Sequence, residues 1–110
     1  MKEMSCEVPY SEELWAKLSE QMDEFGQRRL GEEEAVIEVM PVTQKNFINE
    51  VMPVLEFFVE FGSQIVIGVV VNWICENMKG QKITIAGHTI QVGAKEEVVK
   101  VIEEVSHVQK

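Results

Sequence analysis

Residues 54–80 read VLEFFVEFGSQIVIGVVVNWICENMKG, a run far more apolar than one face of a small domain requires. A membrane span takes about 20 largely uncharged apolar residues. Here the charge-free part lies between Glu60 and Glu76 and contains Gln64 and Asn72, and placing Glu56 and Glu60 in hydrocarbon would cost roughly 2.5 kcal/mol or more each. No membrane span is expected. Glu56, Glu60, Ser63, Gln64, Asn72 and Glu76 recur at spacings of three, four and eight, which makes one narrow polar stripe on a helix whose remaining surface wants burial.

A continuous helix over 54–79 would be about 39 Å long at ~1.5 Å per residue, whereas a domain of this size is only about 34 Å across. The helix therefore either bends near Gly62 or Gly68, or projects and packs against a second copy. The second reading predicts a homo-oligomer, most simply a dimer, assembled through Val59, Ile65, Val66, Val69, Val70 and Trp73. Two alternatives stay open: the remaining elements wrap the helix within one chain, or IVIGVVV at 65–71, being β-branched, forms a buried strand.

The 110 residues fit one domain with a core of its own. The net charge of −9 is uneven, with twelve acids against five bases over residues 1–55 and seven against five over 56–110. Such a balance opposes DNA, RNA and anionic lipid, because affinity for polyanions comes mostly from Lys and Arg. It would attract a basic protein partner, and it also serves ordinary solubility. Cys6 and Cys75 belong to no CxxC or CxxH cluster and read as buried thiols. The opening MKEMSCEVPYSEELW lacks the apolar stretch of a signal peptide, so a cytoplasmic location is expected.

Residues 4–8 suit a strand that Pro9 ends, followed by a helix with Ser11 as N-cap, Glu12 and Glu13 in the first turn, and Leu14, Leu18, Met22 and Phe25 on one face. Gly26 and Gly31 bracket a polar connection. Ala35, Ile37 and Val39 alternate as a strand buried on one face. Thr43 is placed as the cap of another helix, with Pro53 restarting the chain in a first turn. KITIAGHTIQV reads as a hairpin with Gly87-His88 as its loop, Ile85 opposing Ile90 and Ile83 opposing Val92. A last helix carries Val98, Val101, Ile102 and Val105 on its apolar face. The fold class expected is α+β, with helices packed on a small, mostly antiparallel sheet, one long apolar central helix, and a C-terminal β-hairpin plus helix.

Candidates for chemistry are sparse. His88 sits in a turn, and Cys75 lies beside Trp73 and Ile74, where burial makes a thiol inert. Glu56 and Glu60 are one helical turn apart without an ExxH partner, which favours a solvated stripe or an interface rim over a metal site. Glu32, Glu33 and Glu34 form an acidic surface run whose functional reading is mimicry of a phosphate backbone. No dinucleotide, P-loop or hydrolase motif occurs, so no cofactor, metal or catalytic residue is assigned.

From Val36 onward the layout is a strand ending VMPV, a long apolar helix closing on VNWICENMKG, then ITIAGHTIQV and an amphipathic helix. This order, with Trp73 near the helix end, resembles the effector-associated constant component domains of bacterial conflict systems over about two thirds of the chain. The resemblance implies a non-enzymatic adaptor in a defence or signalling system and supplies no catalytic residues. Two functions follow as expectations: an interaction module that self-associates through its long helix, or a small acidic inhibitor, phage-encoded for instance, that occupies a basic groove on a nucleic-acid enzyme.

Overall fold

The computed structural model describes residues 2–30, 35–61 and 67–108. In chain order the elements are β1 (Lys2–Pro9), α1 (Glu12–Gln21), β2 (Gln27–Leu30), β3 (Ala35–Val39), β4 (Thr43–Phe47), β5 (Glu50–Phe61), α2 (Ile67–Met78), β6 (Lys82–Ile85), β7 (His88–Gln91) and α3 (Lys95–Val108). The strands make one antiparallel sheet in the order β2-β3-β5-β1-β6-β7, with β4 also paired to β5. The class is α+β as expected, and the C-terminal hairpin and helix are present.

The long apolar helix is not. Its first half is strand β5 and its second half is helix α2, so 54–79 is not one helix. The reason is a period of two hidden in the first half. Leu55, Phe57, Val59 and Phe61 are buried on one side of β5, while Glu56, Phe58 and Glu60 face the other at intermediate exposure. Phe58 breaks the apolar/polar alternation that marks a half-buried strand, and the Glu56/Glu60 spacing of four then passes for a helical turn. Within 65–71 the described part, from Ile67, is helical and not a strand.

The expected helix at Thr43 is also replaced by strand. Residues of β3 and β4 form one edge along β5: Val39 opposes Phe57 and Thr43 opposes Val54, so three residues face two across Met40, Pro41 and Val42. That extra residue is a bulge, which bends the strand and strengthens its twist. A two-residue turn, Ile48-Asn49, closes the β4–β5 hairpin with both φ angles positive, at 50° and 63°. Pro53 lies within β5 opposite Gln44 and costs no ladder bond, because its nitrogen is directed away from β4; its carbonyl on that same side accepts from Tyr10 N–H at 3.0 Å.

Elsewhere the local rules hold. Ser11 caps α1, its hydroxyl accepting from Leu14 N–H at 3.1 Å, with Glu12 and Glu13 in the first turn. Leu14 and Leu18 are buried, but α1 ends at Gln21, which leaves Phe25 75% exposed and outside the expected apolar face. The polar connection after Gly26 is itself a strand, β2. Gly26 has φ +75°, and a Cβ there would lie 3.2 Å from the carbonyl oxygen of Val39, so the turn into β2 favours glycine. The β6–β7 turn is Ala86-Gly87, at φ +47° and +90°, and pairs Ile85 with His88 and Ile83 with Ile90. Positive φ at both central positions identifies a type I′ turn, whose twist matches that of the flanking strands. That match moves the loop one residue from the expected Gly87-His88.

All three helices lie on one side of the sheet. Met4, Cys6 and Val8 of β1, Ile37 of β3, Leu55, Phe57 and Val59 of β5, and Ile83 and Ile85 of β6 meet Leu14 and Leu18 of α1, Val70, Trp73, Ile74 and Met78 of α2, and Val98 and Ile102 of α3 in one core. The packed chain has a radius of gyration of 13.1 Å. No helix among the described residues is long and apolar enough to cross a membrane.

Candidate interaction face

Among the described residues the other side of the sheet carries no helix. Register places Val36 and Glu38 of β3, Glu56, Phe58 and Glu60 of β5, Glu3, Ser5 and Glu7 of β1, and Thr84 of β6 on this open face. Phe58 opposes Ser5 and Glu38, and sits between Glu56 and Glu60 along its own strand. An aromatic ring at intermediate exposure is thus ringed by carboxylates.

Two pairs of those carboxylates stand directly opposite one another: Glu7 against Glu56, and Glu3 against Glu60. Like charges in directly opposed sheet positions are destabilising. At the first pair the chain supplies a remedy. Lys45 Nζ donates to Glu7 Oε2 at 2.9 Å and to Glu56 Oε2 at 3.0 Å. These bonds, to Glu7 first and Glu56 second, raise the Lys45 pKa above its ordinary value. Lys45 opposes Met52, four residues from Glu56, or about 13 Å along the strand, so the two side chains reach toward each other over the open face. Phe47 and Val54, of the same facing parity, are buried there apart from the main core. At the second pair, Glu3 and Glu60 have no hydrogen-bonded or ion-paired side-chain partner among the described residues. Near the rim, Gln27 Nε2 donates to Glu38 Oε2 at 2.8 Å, and the hydroxyls of Thr84 and Thr89 are 3.0 Å apart.

Of the residues expected to form a self-association surface, the four described ones lie elsewhere. Val59, Val70 and Trp73 are buried in the chain's own core, and Val69 is half-buried against it. Ile65 and Val66 lie outside the described residues, as do Glu32, Glu33 and Glu34. Trp73 is an internal staple. Its ring meets Phe57 edge-on at 5.6 Å, its Nε1–H donates to Gln21 Oε1 at 3.0 Å, Gln21 Nε2 donates to Asn77 Oδ1 at 2.6 Å, and Asn77 Nδ2 donates to the Trp73 carbonyl at 2.8 Å. The apolar surplus of the sequence is therefore absorbed by packing β5 and α2 against each other in one core.

Several clefts open on the described surface, one of them, of about 340 Å3, lined by Cys75, Glu76, Lys79 and Lys95. One of about 200 Å3 runs beside α1, lined by Trp15, Met22, Gly26 and Val39; another, of about 210 Å3, is lined by Glu13, Lys17, Glu76 and Lys79. Cys6 is fully buried, and burial first, then the neighbouring Glu7 charge, pushes its thiol pKa upward, so it stays protonated. Cys75 is half-buried, not buried as expected, and His88 is exposed in β7. Among the described residues no cluster of His, Cys, Asp and Glu has the makings of a metal site. No known protein family, curated protein or solved structure matches the chain.

Proposed function

We propose that this chain is a non-enzymatic protein-interaction module that receives a basic partner on the open face of its sheet. The observation that carries the proposal is the difference between the two carboxylate pairs that flank Ser5 and Phe58. Glu7 and Glu56 are bridged by Lys45, while Glu3 and Glu60, equally opposed, have no cation bound to them among the described residues. A lysine or arginine of a partner laid over Phe58 would repeat the Lys45 arrangement: its aliphatic stem covers the ring and its cation meets the carboxylates. An apolar centre with a polar rim is also the usual anatomy of an interface.

An inhibitor of a nucleic-acid enzyme would use the same electrostatics, but the acidic run assigned to that role lies outside the described residues and adds nothing to it. The layout that suggested a defence-system adaptor included one long helix, which the structure divides, so that setting rests on no further support.

The test is a two-dimensional NMR titration with decalysine at 50 and 300 mM salt. The amides of Glu3, Ser5, Phe58 and Glu60 are expected to shift most, with binding weakened at high salt and roughly two- to five-fold weaker in Glu60→Gln. Shifts centred on the equally acidic exposed face of α3, at Glu96, Glu97, Glu103 and Glu104, or no shifts on the sheet even at low salt, would overturn the proposal.

A further inference from the structure

Among the described residues β4 pairs with β5 alone. It lies on the same side of β5 as β3, since β1 occupies the other side as far as the Pro9–Val54 pair. Its outer edge therefore faces away from the sheet and carries no ladder among the described residues. Across the two-residue turn, Phe47 and Glu50 close the hairpin as a hydrogen-bonded pair, and the alternation of an antiparallel ladder then directs Lys45 and Thr43 inward and the backbone N–H and C=O of Gln44 and Asn46 outward. The Tyr10–Pro53 bond is an independent check on this phase, because Pro53, opposite Gln44, likewise points its carbonyl away from the hairpin.

Sheet edges are normally guarded by outward charge, proline, a bulge or short length. β2 has exposed Arg28 and Arg29 and four residues, and β7 also has four. β4 presents Thr43, Gln44 and Asn46, all exposed and uncharged, while the ammonium of its one charged residue, Lys45, is drawn back over β5 by Glu7 and Glu56. On a chain of net charge −9, residues 39–49 contain no acid and only that lysine. This is where a second copy can approach without meeting an acid, and the one like charge it meets, Lys45, has its ammonium held by Glu7 and Glu56 of its own chain. Val42, Ile48 and Val51, at 36%, 50% and 72% exposure, are all on the same ribbon. Ile48 further holds φ +50°, a conformation that β-branched residues rarely adopt.

We propose that two copies of this chain pair antiparallel through β4 about a two-fold axis at Lys45. Gln44 then faces Asn46 of the second copy, using the outward backbone groups of both, and Val42 faces Ile48 at either end. The two Lys45 side chains meet at the axis on the open-face side, and their ammonium groups diverge toward the carboxylates of their own chains. The pairing stands independently of the basic partner proposed above.

Two measurements on the whole chain test it. Backbone hydrogen exchange followed by NMR is expected to show the Gln44 and Asn46 amides protected at 1 mM protein and progressively released on dilution. Sedimentation velocity is expected to show a monomer–dimer equilibrium weakened about ten-fold or more by Asn46→Pro. That change removes an outward donor while leaving the ladder to β5 intact. Unprotected Gln44 and Asn46 amides at 1 mM in the wild-type protein would overturn the pairing, whatever the variant does. So would a dimer that a folded Asn46→Pro variant retains at full strength.

Discussion

Replacing Glu60 with lysine should make this protein more stable, although it alters a central strand. Glu60 stands directly opposite Glu3 across β1 and β5, and directly opposed side chains have Cβ atoms about 4.5–5.5 Å apart. Two unit charges about 5 Å apart in water-like surroundings repel by about 0.8 kcal/mol. Glu60→Gln removes that term, and Glu60→Lys replaces it with an attraction of about 0.2–1 kcal/mol. The gain from this pair is therefore about 1–1.8 kcal/mol at low ionic strength, or roughly 4–12 °C in Tm. Arg29, a cation in the same row of the sheet, is two strands away at about 10 Å, and at 20 mM salt its changed interaction subtracts up to about 0.5 kcal/mol. Thermal melts of the wild type, Glu60→Gln and Glu60→Lys in 20 mM and 1 M NaCl measure it, with the gain shrinking in high salt. A Glu60→Lys protein no more stable than wild type at low salt would show that the opposed carboxylates cost nothing, and the argument for a missing cation would fall with it. A more stable variant that no longer binds decalysine would show stability traded for function.

Lys45→Met should destabilise by about 1–2 kcal/mol at neutral pH, since it removes two partly exposed ion pairs and leaves Glu7 facing Glu56. Because the folded Lys45 pKa is raised above 10.5, its contribution is complete below pH 10.5 and is lost as pH rises through the raised value, so urea melts should show the gap between wild type and variant closing there. Gln21→Ala strands the Trp73 indole N–H and the Asn77 amide oxygen, with an expected cost of about 1–3 kcal/mol read as a lower urea midpoint at unchanged m-value. Ala86→Asn, which places Asn-Gly in the type I′ turn, should raise stability by about 0.5–1 kcal/mol in the same assay; a loss would mean that the turn is not of that type in solution.

Where one side of an element met the core and the other met water, the sequence was readable. β1, the Ser11 cap, the buried face of β3, the presence of the C-terminal hairpin though not its register, and α3 all obey local rules of that kind. β2 was not readable because QRRL contains one buried residue, Leu30, and no alternation. The helix assigned to 54–79 failed for a more instructive reason. Phe58 occupies a position where a solvated strand would have a polar residue, and with a polar residue there the pattern from Leu55 to Phe61 would have been a plain period of two. The residue that disguised the strand is the one at the centre of the candidate interaction face. Pro53 and Thr43 misled similarly, because each suits a helix start and each also suits an edge or bulge. The ion pairs of Lys45 join β4 to β1 and β5, a proximity created by the bulge that no local pattern announces.

The place of β1 has a consequence for the order in which the chain can acquire its structure. β1 is paired on one side with β5 and on the other with β6, with Cys6 opposite both Phe57 and Ile85. The β4–β5 and β6–β7 hairpins close over two-residue turns and form on a microsecond scale, but neither joins the other without β1 between them. During synthesis at about 5–20 residues per second, the segment containing Cys6 waits roughly 4–16 s before its β6 partner exists. Its β5 partner is complete after roughly 3–11 s, but until β6 emerges the other edge of β1 has no ladder to enter, and a chaperone or a competing strand has access to it. The rate of folding is then expected to be set by the arrival of β1, the most sequence-distant pairing in the sheet and entropically the most costly to close.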